Sequence, residues 1–247
     1  MSVDTPEQLE GLRRAGALAA DVLRLVREAA APGVSTAELG ALAAERMRQD
    51  GARSAPIVTY DFPGAICISV GHEVVHGIPG PRRLLAGDVV KLDVSLELDG
   101  YFADTAATIA VAPARPADER LVAATRAALK RGMLAATAGA TVRDVGATVE
   151  RIAEARGFCV LRALTGHGIG RGLHEPPTVP NFDDPDASGD LHEGLVMTVE
   201  PMLAAGTRDV VGTGDGWTLV TADGSHAAHE EHTIVVTNGE PIVLTAA

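Results

Sequence analysis

The first fifty residues place apolar side chains at the three- and four-residue spacing of amphipathic helices. The first helix is predicted to open at Thr5-Pro6-Glu7-Gln8, which combines an N-cap residue, a proline at the first helical position and a capping-box glutamine. It is expected to run as far as Pro32-Gly33. A second helix is predicted from Ser35, where Glu38 completes another capping box, to about Gly51. The chain therefore begins with two consecutive helices.

The capped start of the second helix recurs later in the chain. Residues 33–41 and 139–147 share the cap, the acidic third helical position and a Gly-Ala pair. Each copy follows a long amphipathic helix, the second of which is predicted at about 118–138. A chance match over one capped helix is the alternative explanation. The repeat favours two related halves, about 1–113 and 114–247, with a ligand site where they meet.

Apolar runs bounded by turn residues predict the strands. These runs lie at 65–70, 88–95, 101–111, 158–163, 195–203 and 231–236. The segments 80–87 and 181–194 are predicted to be surface loops. Because helices precede strands in each half, the expected fold class is α+β with a largely antiparallel sheet.

Two carboxylates in a predicted β-hairpin are the first candidates for chemistry. Asp99-Gly100 is typical of a two-residue type I′ turn, and such a turn pairs Ser95 with Asp104 and Asp93 with Ala106. Asp93 and Asp104 then become diagonal neighbours, between which two metal ions about 3.5–4 Å apart would fit. A β-bulge would change this register. The alternative is that both side chains are solvated hairpin positions.

Composition narrows the classes of function. The 247 residues are 46% apolar, which is ample for a packed core, and carry a formal net charge of −12. That charge disfavours nucleic-acid and anionic-membrane partners, because neither would meet a basic face. No secretory leader and no bilayer-spanning apolar run is present, so a cytoplasmic protein is expected. Cys67 and Cys159 make neither a disulfide framework nor a thiolate zinc site.

Four further segments carry potential metal ligands or nearby catalytic residues. His167 lies among glycines at 165–170, and His174 precedes a diproline. The Gly-x-Gly spacing is only weak evidence for a phosphate site, because no helix is predicted to follow it. Glu200 ends one apolar strand and Glu231 begins another. A buried carboxylate needs a partner, and a metal ion would be such a partner.

In order and spacing, these motifs resemble those of the bacterial type I methionine aminopeptidases, which have the pita-bread fold. The resemblance covers 67–70, 74–79, the hairpin that bears Asp93 and Asp104, 166–170, 198–201 and 231–236. It implies a single catalytic domain, 1–247, with two pseudo-symmetric α+β halves around a largely antiparallel curved sheet. The implied activity is removal of the N-terminal methionine from nascent proteins whose second residue is small. A monomer is expected, with the ribosome as a candidate partner.

The resemblance also implies a dinuclear divalent metal centre. Its ligands would be Asp93, Asp104, His167, Glu200 and Glu231. In this assignment Asp104 and Glu231 bridge the ions, and Glu200 also handles the proton of the attacking water. Two divalent ions balance four carboxylates, whose pKa values would rise by mutual repulsion without metal. The ligand set does not select among Co, Mn, Fe, Zn and Ni.

The implied catalytic and substrate-binding residues surround this centre. His76 and His174 would be catalytic histidines outside the ligand set. The substrate-binding residues would be Phe62, Cys67, His76, His174 and Trp217, with Thr59 and Leu173 at positions that often carry aromatics. Thioether sulfur packs well against aromatic rings and thiols. For Trp217 and Cys67 an ordinary packing role is the alternative.

The chain departs from the family pattern in two places. Gly71-His72-Glu73 replaces an asparagine-containing turn associated with a monovalent cation, so the presence of that cation is an open question. The residues before Glu231 also differ, and Glu230 competes with Glu231 as the ligand. Strand alternation favours Glu231. The remaining histidines are expected to be solvated or structural: His72, His192, His226 and His229 are predicted to be solvated, and His232 to be a hydrogen-bonding residue.

Two other functions are compatible with the same motifs. A proline-specific peptidase of this fold would share the five ligands, although such relatives usually carry an additional N-terminal domain. An inert binding module of the same shape would generally lack some of the ligands, and here all five are present. Cleavage of Met-Ala-Ser compared with Ala-Pro-Ala, together with metal binding, discriminates these possibilities.

Overall fold

The computed structural model describes residues 1–246. Its helices are α1 Pro6–Ala29, α2 Thr36–Gln49, α3 Ala55–Tyr60, α4 Pro116–Ala135 and α5 Val142–Glu154. Thr5, Ser35 and Thr141 cap α1, α2 and α5, and the third residue of each helix returns a hydrogen bond to the cap backbone. The predicted capping boxes are therefore confirmed, and the second and fifth helices begin in the same way.

Short strands make up most of the rest of the chain. The strands of the first half are β1 Arg53–Ser54, β2 Cys67–Val70, β3 Glu73–Val75, β4 Val89–Leu98 and β5 Tyr101–Ala110. Those that follow α5 are β6 Cys159–Val160, β7 Thr165–Gly168, β8 Glu175–Pro180, β9 Val196–Val199, β10 Met202–Ala204, β11 Val210–Gly212, β12 Leu219–Thr221, β13 Ala227–His229, β14 Glu231–Val235 and β15 Ile242–Val243.

One nine-stranded sheet joins the two halves. Its main path runs β1-β4-β5-β14-β9-β7-β8, with β2 also paired to β4 and β15 to β14. Two three-stranded sheets, β13-β10-β6 and β11-β12-β3, lie beside it. Every pairing between these strands is antiparallel, as predicted. The sheet passes from the first half to the second where β5 pairs with β14.

Each pair of long helices covers one part of the large sheet. α1 packs on β4 and β5, and α2 packs on α1 and on the neighbouring strands β1 and β2, in a core that includes Leu39 and Leu92. α4 and α5 pack on the strands of the second half through residues that include Val145 and Met197. Burial of these apolar faces is the main favourable term in the stability of each half. The arrangement matches the predicted α+β class with a helix pair in each half.

Several elements differ from the sequence-based expectation. The strand predicted at 195–203 is interrupted at Glu200-Pro201, which separates β9 from β10, and of the strand predicted at 158–163 only Cys159–Val160 forms. β7 and β8 occupy a segment rich in glycine and proline, where strand patterns are weakest. Within residues 1–246, no helix is both long and apolar enough to cross a membrane.

Candidate metal centre

The β4-β5 hairpin has the register predicted from its turn. Asp99 and Gly100 both have positive φ values, 52° and 79°, as a type I′ turn requires. Ser95 pairs with Asp104 and Asp93 with Ala106. The two aspartates therefore share one face of the hairpin, and both border the same cavity.

Strand β14 brings a third carboxylate to this hairpin. Glu231 pairs with Ala106 of β5, next to the position of Asp104. The Thr105 hydroxyl donates to the Glu231 carbonyl at 2.9 Å, and the Thr233 hydroxyl donates to the Asp104 carbonyl at 2.7 Å. These cross-strand bonds hold the two carboxylates, which come from different halves of the chain, on neighbouring strands.

His167 lies on β7, and Glu200 directly follows the adjacent strand β9. Gly168 lets β7 approach β8 closely, because a Cβ atom at that position would lie 2.1 Å from the Pro176 carbonyl oxygen. The Nδ1 atom of His167 bonds the Gly168 carbonyl at 2.9 Å, which leaves Nε2 directed to Glu200 Oε1 at 3.3 Å. The Thr198 hydroxyl donates to the same carboxylate oxygen at 2.7 Å. A histidine fixed through Nδ1 is the usual form of a metal-binding imidazole.

All five predicted ligands border a single cavity of about 680 Å³. Two sets of three side chains have potential ligand atoms within 4.8 Å of one another, and Glu231 belongs to both. The first set is Asp104, His167 and Glu231, and the second is Glu200, His229 and Glu231. Buried oxygens of Asp104 and Glu231 have no hydrogen-bond partner among the described residues. Such oxygens fit coordination to a cation.

The electrostatics of the cavity favour bound cations. Burial raises the pKa of Asp93, Glu200 and Glu231 well above the ordinary range, and repulsion by neighbouring carboxylates acts in the same direction. Burial raises the pKa of Asp104 to about 6. Burial lowers the pKa of His167 to about 4, so its imidazole is neutral at pH 7. Neutral imidazole and carboxylate oxygens are the forms that bind divalent metals, and the cations offset the repulsion.

The structure corrects the prediction that His229 is solvated. His229 is only 2% exposed and lies on β13, where it pairs with Met202 of β10. Neither ring nitrogen has a hydrogen-bond partner within residues 1–246. Burial lowers the pKa of His229 to about 3, so the ring is neutral. His229 is thus a functional candidate that sequence reasoning missed, because a three-residue strand gives no periodic signal.

The two adjacent glutamates at the start of β14 have separate environments. Glu231 faces the cavity. Glu230 instead accepts hydrogen bonds from the Arg126 guanidinium at 3.0 Å and from the Thr108 backbone at 3.2 Å. The two side chains point in opposite directions because consecutive residues of an extended chain alternate between its faces. The same alternation favoured Glu231 as the ligand.

The mouth of the cavity carries the remaining predicted residues. Phe62, Cys67, His76, His174 and Trp217 all line it, together with Val75, Leu173 and Met202. The Phe62 and Trp217 rings meet edge to face, with centroids 5.1 Å apart. The aromatic side chain that α3 contributes to this cavity is Tyr60, whereas Thr59 does not line it. Tyr60 was not predicted, because α3 is only six residues long.

The rings of His174 and His167 lie close together, with centroids 4.1 Å apart. The Tyr60 hydroxyl contacts His174 Nδ1 at 2.5 Å. Burial in the cavity lowers the pKa of both His174 and His76, although each ring keeps accessible surface at the mouth. A hydroxyl that donates to Nδ1 selects the tautomer with hydrogen on Nε2.

The other histidines have varied surroundings. His72 and His192 are exposed, as predicted. The prediction is wrong for His226, which is half-buried with Nδ1 2.9 Å from an Asp118 carboxylate oxygen. His232 bonds the Thr245 hydroxyl at 2.9 Å, which agrees with a structural role.

Sequence comparison relates this chain to bacterial methionine aminopeptidases. The chain is 39% identical to methionine aminopeptidase 2 of Bacillus subtilis over 99% of both chains. It is also 39% identical to the methionine aminopeptidase of Escherichia coli K12, over 99% of this chain and 94% of that one.

Solved structures agree with these sequence relatives. The methionine aminopeptidases of Thermotoga maritima and Rickettsia prowazekii superpose with TM-scores of 0.96 and 0.95, at 35% and 36% identity, with all of each chain covered. The prolidase of Pyrococcus furiosus shares the fold at 22% identity and a TM-score of 0.80, but this chain spans only 65% of its length. The model of metallopeptidase family M24 matches residues 10–238. The chain belongs to metallopeptidase family M24 and has the pita-bread fold.

Proposed function

We propose that this protein is a methionine aminopeptidase that removes the N-terminal methionine of nascent proteins when the second residue is small. The observation that carries the proposal is one cavity in which five oxygen and nitrogen ligands lie beside an apolar, aromatic-lined pocket. The names of its relatives at 39% identity support the same activity.

The proposed cofactor is a pair of divalent metal ions. Asp93, Asp104, His167, Glu200 and Glu231 would hold them. When bound, the ions supply an acidified water and polarise the carbonyl of the first peptide bond. Oxygen ligands with imidazole accept Mn, Fe, Co, Ni or Zn.

The protein's own side chains then have defined tasks. Glu200 would take a proton from the attacking water and return it to the amine that leaves when the C–N bond breaks. His174 would donate its Nε2 hydrogen to the carbonyl oxygen as negative charge develops there, and Tyr60, which contacts Nδ1, would orient the ring. His76, across the cavity, would bind the peptide backbone of the substrate.

The substrate pocket suits a methionine side chain. Phe62 and Trp217 provide two aromatic faces, and Cys67, Met202 and Leu173 complete an apolar lining. Methionine sulfur makes favourable contacts with aromatic rings. The rings of Tyr60 and His174 lie side by side in the lining of the same cavity, with centroids 5.5 Å apart, and would limit the space for the second residue of the substrate.

The wider setting is also a proposal. We infer a single catalytic domain, 1–247, built from the halves 1–113 and 114–247, which acts as a monomer. A nascent-chain substrate implies action in the cytoplasm, and any contact with the ribosome would use the surface of this domain.

The test is methionine release from Met-Ala-Ser by metal-free protein reconstituted separately with Mn, Fe, Co, Ni and Zn. We expect activity with at least one metal, little cleavage of Met-Lys or Met-Glu peptides, and none of Ala-Pro-Ala. Preferential cleavage of Ala-Pro-Ala would identify a proline-specific peptidase. Protein that binds no divalent metal and cleaves neither peptide would identify an inert binding module.

A further inference from the structure

Lys91 is a buried lysine that the proposed reaction does not use. It lies on β4, two residues before Asp93, and is only 1% exposed. Its Nζ atom donates to the carbonyl oxygens of Gly71 at 2.9 Å and Val89 at 3.3 Å. A lysine is almost never fully buried unless it is paired, and no carboxylate lies within ion-pair distance of this one in the described chain. Backbone carbonyls are therefore its direct partners.

These carbonyls belong to a junction of several strands. The turn Gly71-His72 connects β2 to β3, and the Gly71 backbone donates to the Val89 carbonyl at 2.8 Å. The Ala227 backbone of β13 donates to the Gly71 carbonyl at 3.2 Å, and the Thr221 backbone of β12 donates to the His72 carbonyl at 3.0 Å. Lys91 thus joins this turn to the strand that carries Asp93.

The turn is also the place where the family resemblance raised the question of a monovalent cation. The resemblance implies that such an ion would be held largely by backbone carbonyl oxygens of this turn. The Gly71 carbonyl already accepts hydrogen bonds from Lys91 and from Ala227. A carbonyl oxygen has two lone pairs, so both are in use. The residues present do not fit an additional ion at Gly71.

We propose that the Lys91 amine, tethered to β4, takes the place of a bound monovalent ion and holds the Gly71 turn against β4. The protein would then need no sodium or potassium at this position. The amine donates hydrogen to the two carbonyls whether or not it is charged, so the side chain occupies the position in either form.

The first test is thermal unfolding of the full-length, metal-loaded protein in choline, sodium and potassium chloride at equal ionic strength. We expect the same melting temperature in all three salts. A saturable rise in sodium or potassium over choline would overturn the proposal, because it would reveal an ion site beside Lys91. This measurement needs no aminopeptidase assay, so it is independent of the proposed activity.

Two substitutions at the same position sharpen the test. Lys91→Met keeps most of the volume but removes the donor, and should lower the melting temperature by about 5–10 °C in every salt. Lys91→Ala leaves room for an ion, and potassium or sodium should restore at least half of its loss relative to choline. Lys130→Ala, at an exposed position, is the control for loss of charge and should respond to none of the salts.

Crystals soaked in a thallous salt provide a readout that does not depend on stability. We expect no anomalous peak near the Gly71 carbonyl in the natural protein and a peak there in Lys91→Ala. If Lys91→Ala does not fold, Lys91→Gln replaces it, with the same expectation of a salt response. A peak in the natural protein, or full stability of Lys91→Met in choline, would contradict the proposal.

Discussion

The Nε2 atom of His229 lies 3.6 Å from Glu231 Oε2 and 3.9 Å from Glu200 Oε2. Two ligand atoms that each bind one ion at about 2.1 Å can be no more than about 4.2 Å apart, so these distances fit a common ion. We expect His229→Ala to weaken divalent metal binding by about 10–100-fold. This is the usual effect of removing a side chain that contacts the metal ligands. Titration calorimetry with Mn or Co provides the measurement.

The control for this substitution is His226→Ala, which removes a histidine that contacts Asp118 away from the metal centre. His226→Ala should leave metal affinity unchanged. If His229→Ala also bound metal normally, the role of His229 would be confined to packing between β10 and β13.

Asp104→Asn tests the proposal that Asp104 is shared between two metal ions. We expect the variant to bind less metal and to lose most activity, because a neutral amide offers one weak oxygen where a carboxylate can bridge two ions. Metal content by atomic absorption and peptide hydrolysis should fall together. Normal metal content with normal activity would show that Asp104 does not bridge.

His167 and His174 should separate metal binding from catalysis. His174→Ala is expected to keep its metal and near-normal substrate binding while kcat falls by about 10²–10³, as when one oxyanion donor is removed. His167→Ala should lower metal affinity, with activity partly restored by excess metal. Calorimetry alongside kinetics decides the matter, and a His174→Ala protein that cannot hold metal would reverse the two assignments.

The metal-free protein should lose stability as the pH rises. The folded-state pKa of Asp104 is raised to about 6, and burial also raises those of Asp93, Glu200 and Glu231. The folded state therefore keeps protons that the unfolded chain releases near pH 4. The resulting stabilisation is complete below that pH and is lost as the pH rises through 6 and beyond.

Bound metal should prevent this loss of stability at higher pH, because the cation takes the place of the protons on the four carboxyl groups. The gap between the melting temperatures of metal-loaded and metal-free protein is therefore expected to widen between pH 5 and pH 8. Differential scanning calorimetry with and without a chelator measures the gap. A gap that stayed constant or narrowed would contradict the raised carboxyl pKa values.

The parts of the fold that followed from the sequence are those with a strong local signal. Asp99-Gly100 and the alternation around it determine a turn type, and a turn type determines the hairpin register, so the partner of Asp104 could be stated in advance. Thr5 and Ser35 are likewise recognisable as N-cap residues, because their capping hydrogen bonds involve residues only three positions away.

The parts that were missed depend on contacts between distant segments. His229 is buried because the three-residue strands β10 and β13 pair with each other. Tyr60 reaches the cavity because it ends α3, a helix of only six residues. Lys91 lies in a strand whose pattern gives no reason to bury a lysine, and its carbonyl partner Gly71 belongs to another strand connection. No window of neighbouring residues contains this information.

The pairing of β5 with β14 makes the stability of the fold depend on the same carboxylates that would bind metal. Two backbone pairs, Glu231 with Ala106 and His232 with Thr105, join the sheet there, and the carboxylates of Asp104 and Glu231 face each other across it. Ions bound by both carboxylates would favour the folded chain over a chain opened between these strands. Loss of the metal would then raise the population of unfolded chain that proteases can reach, so that the abundance of the protein as well as its activity would depend on the metal supply.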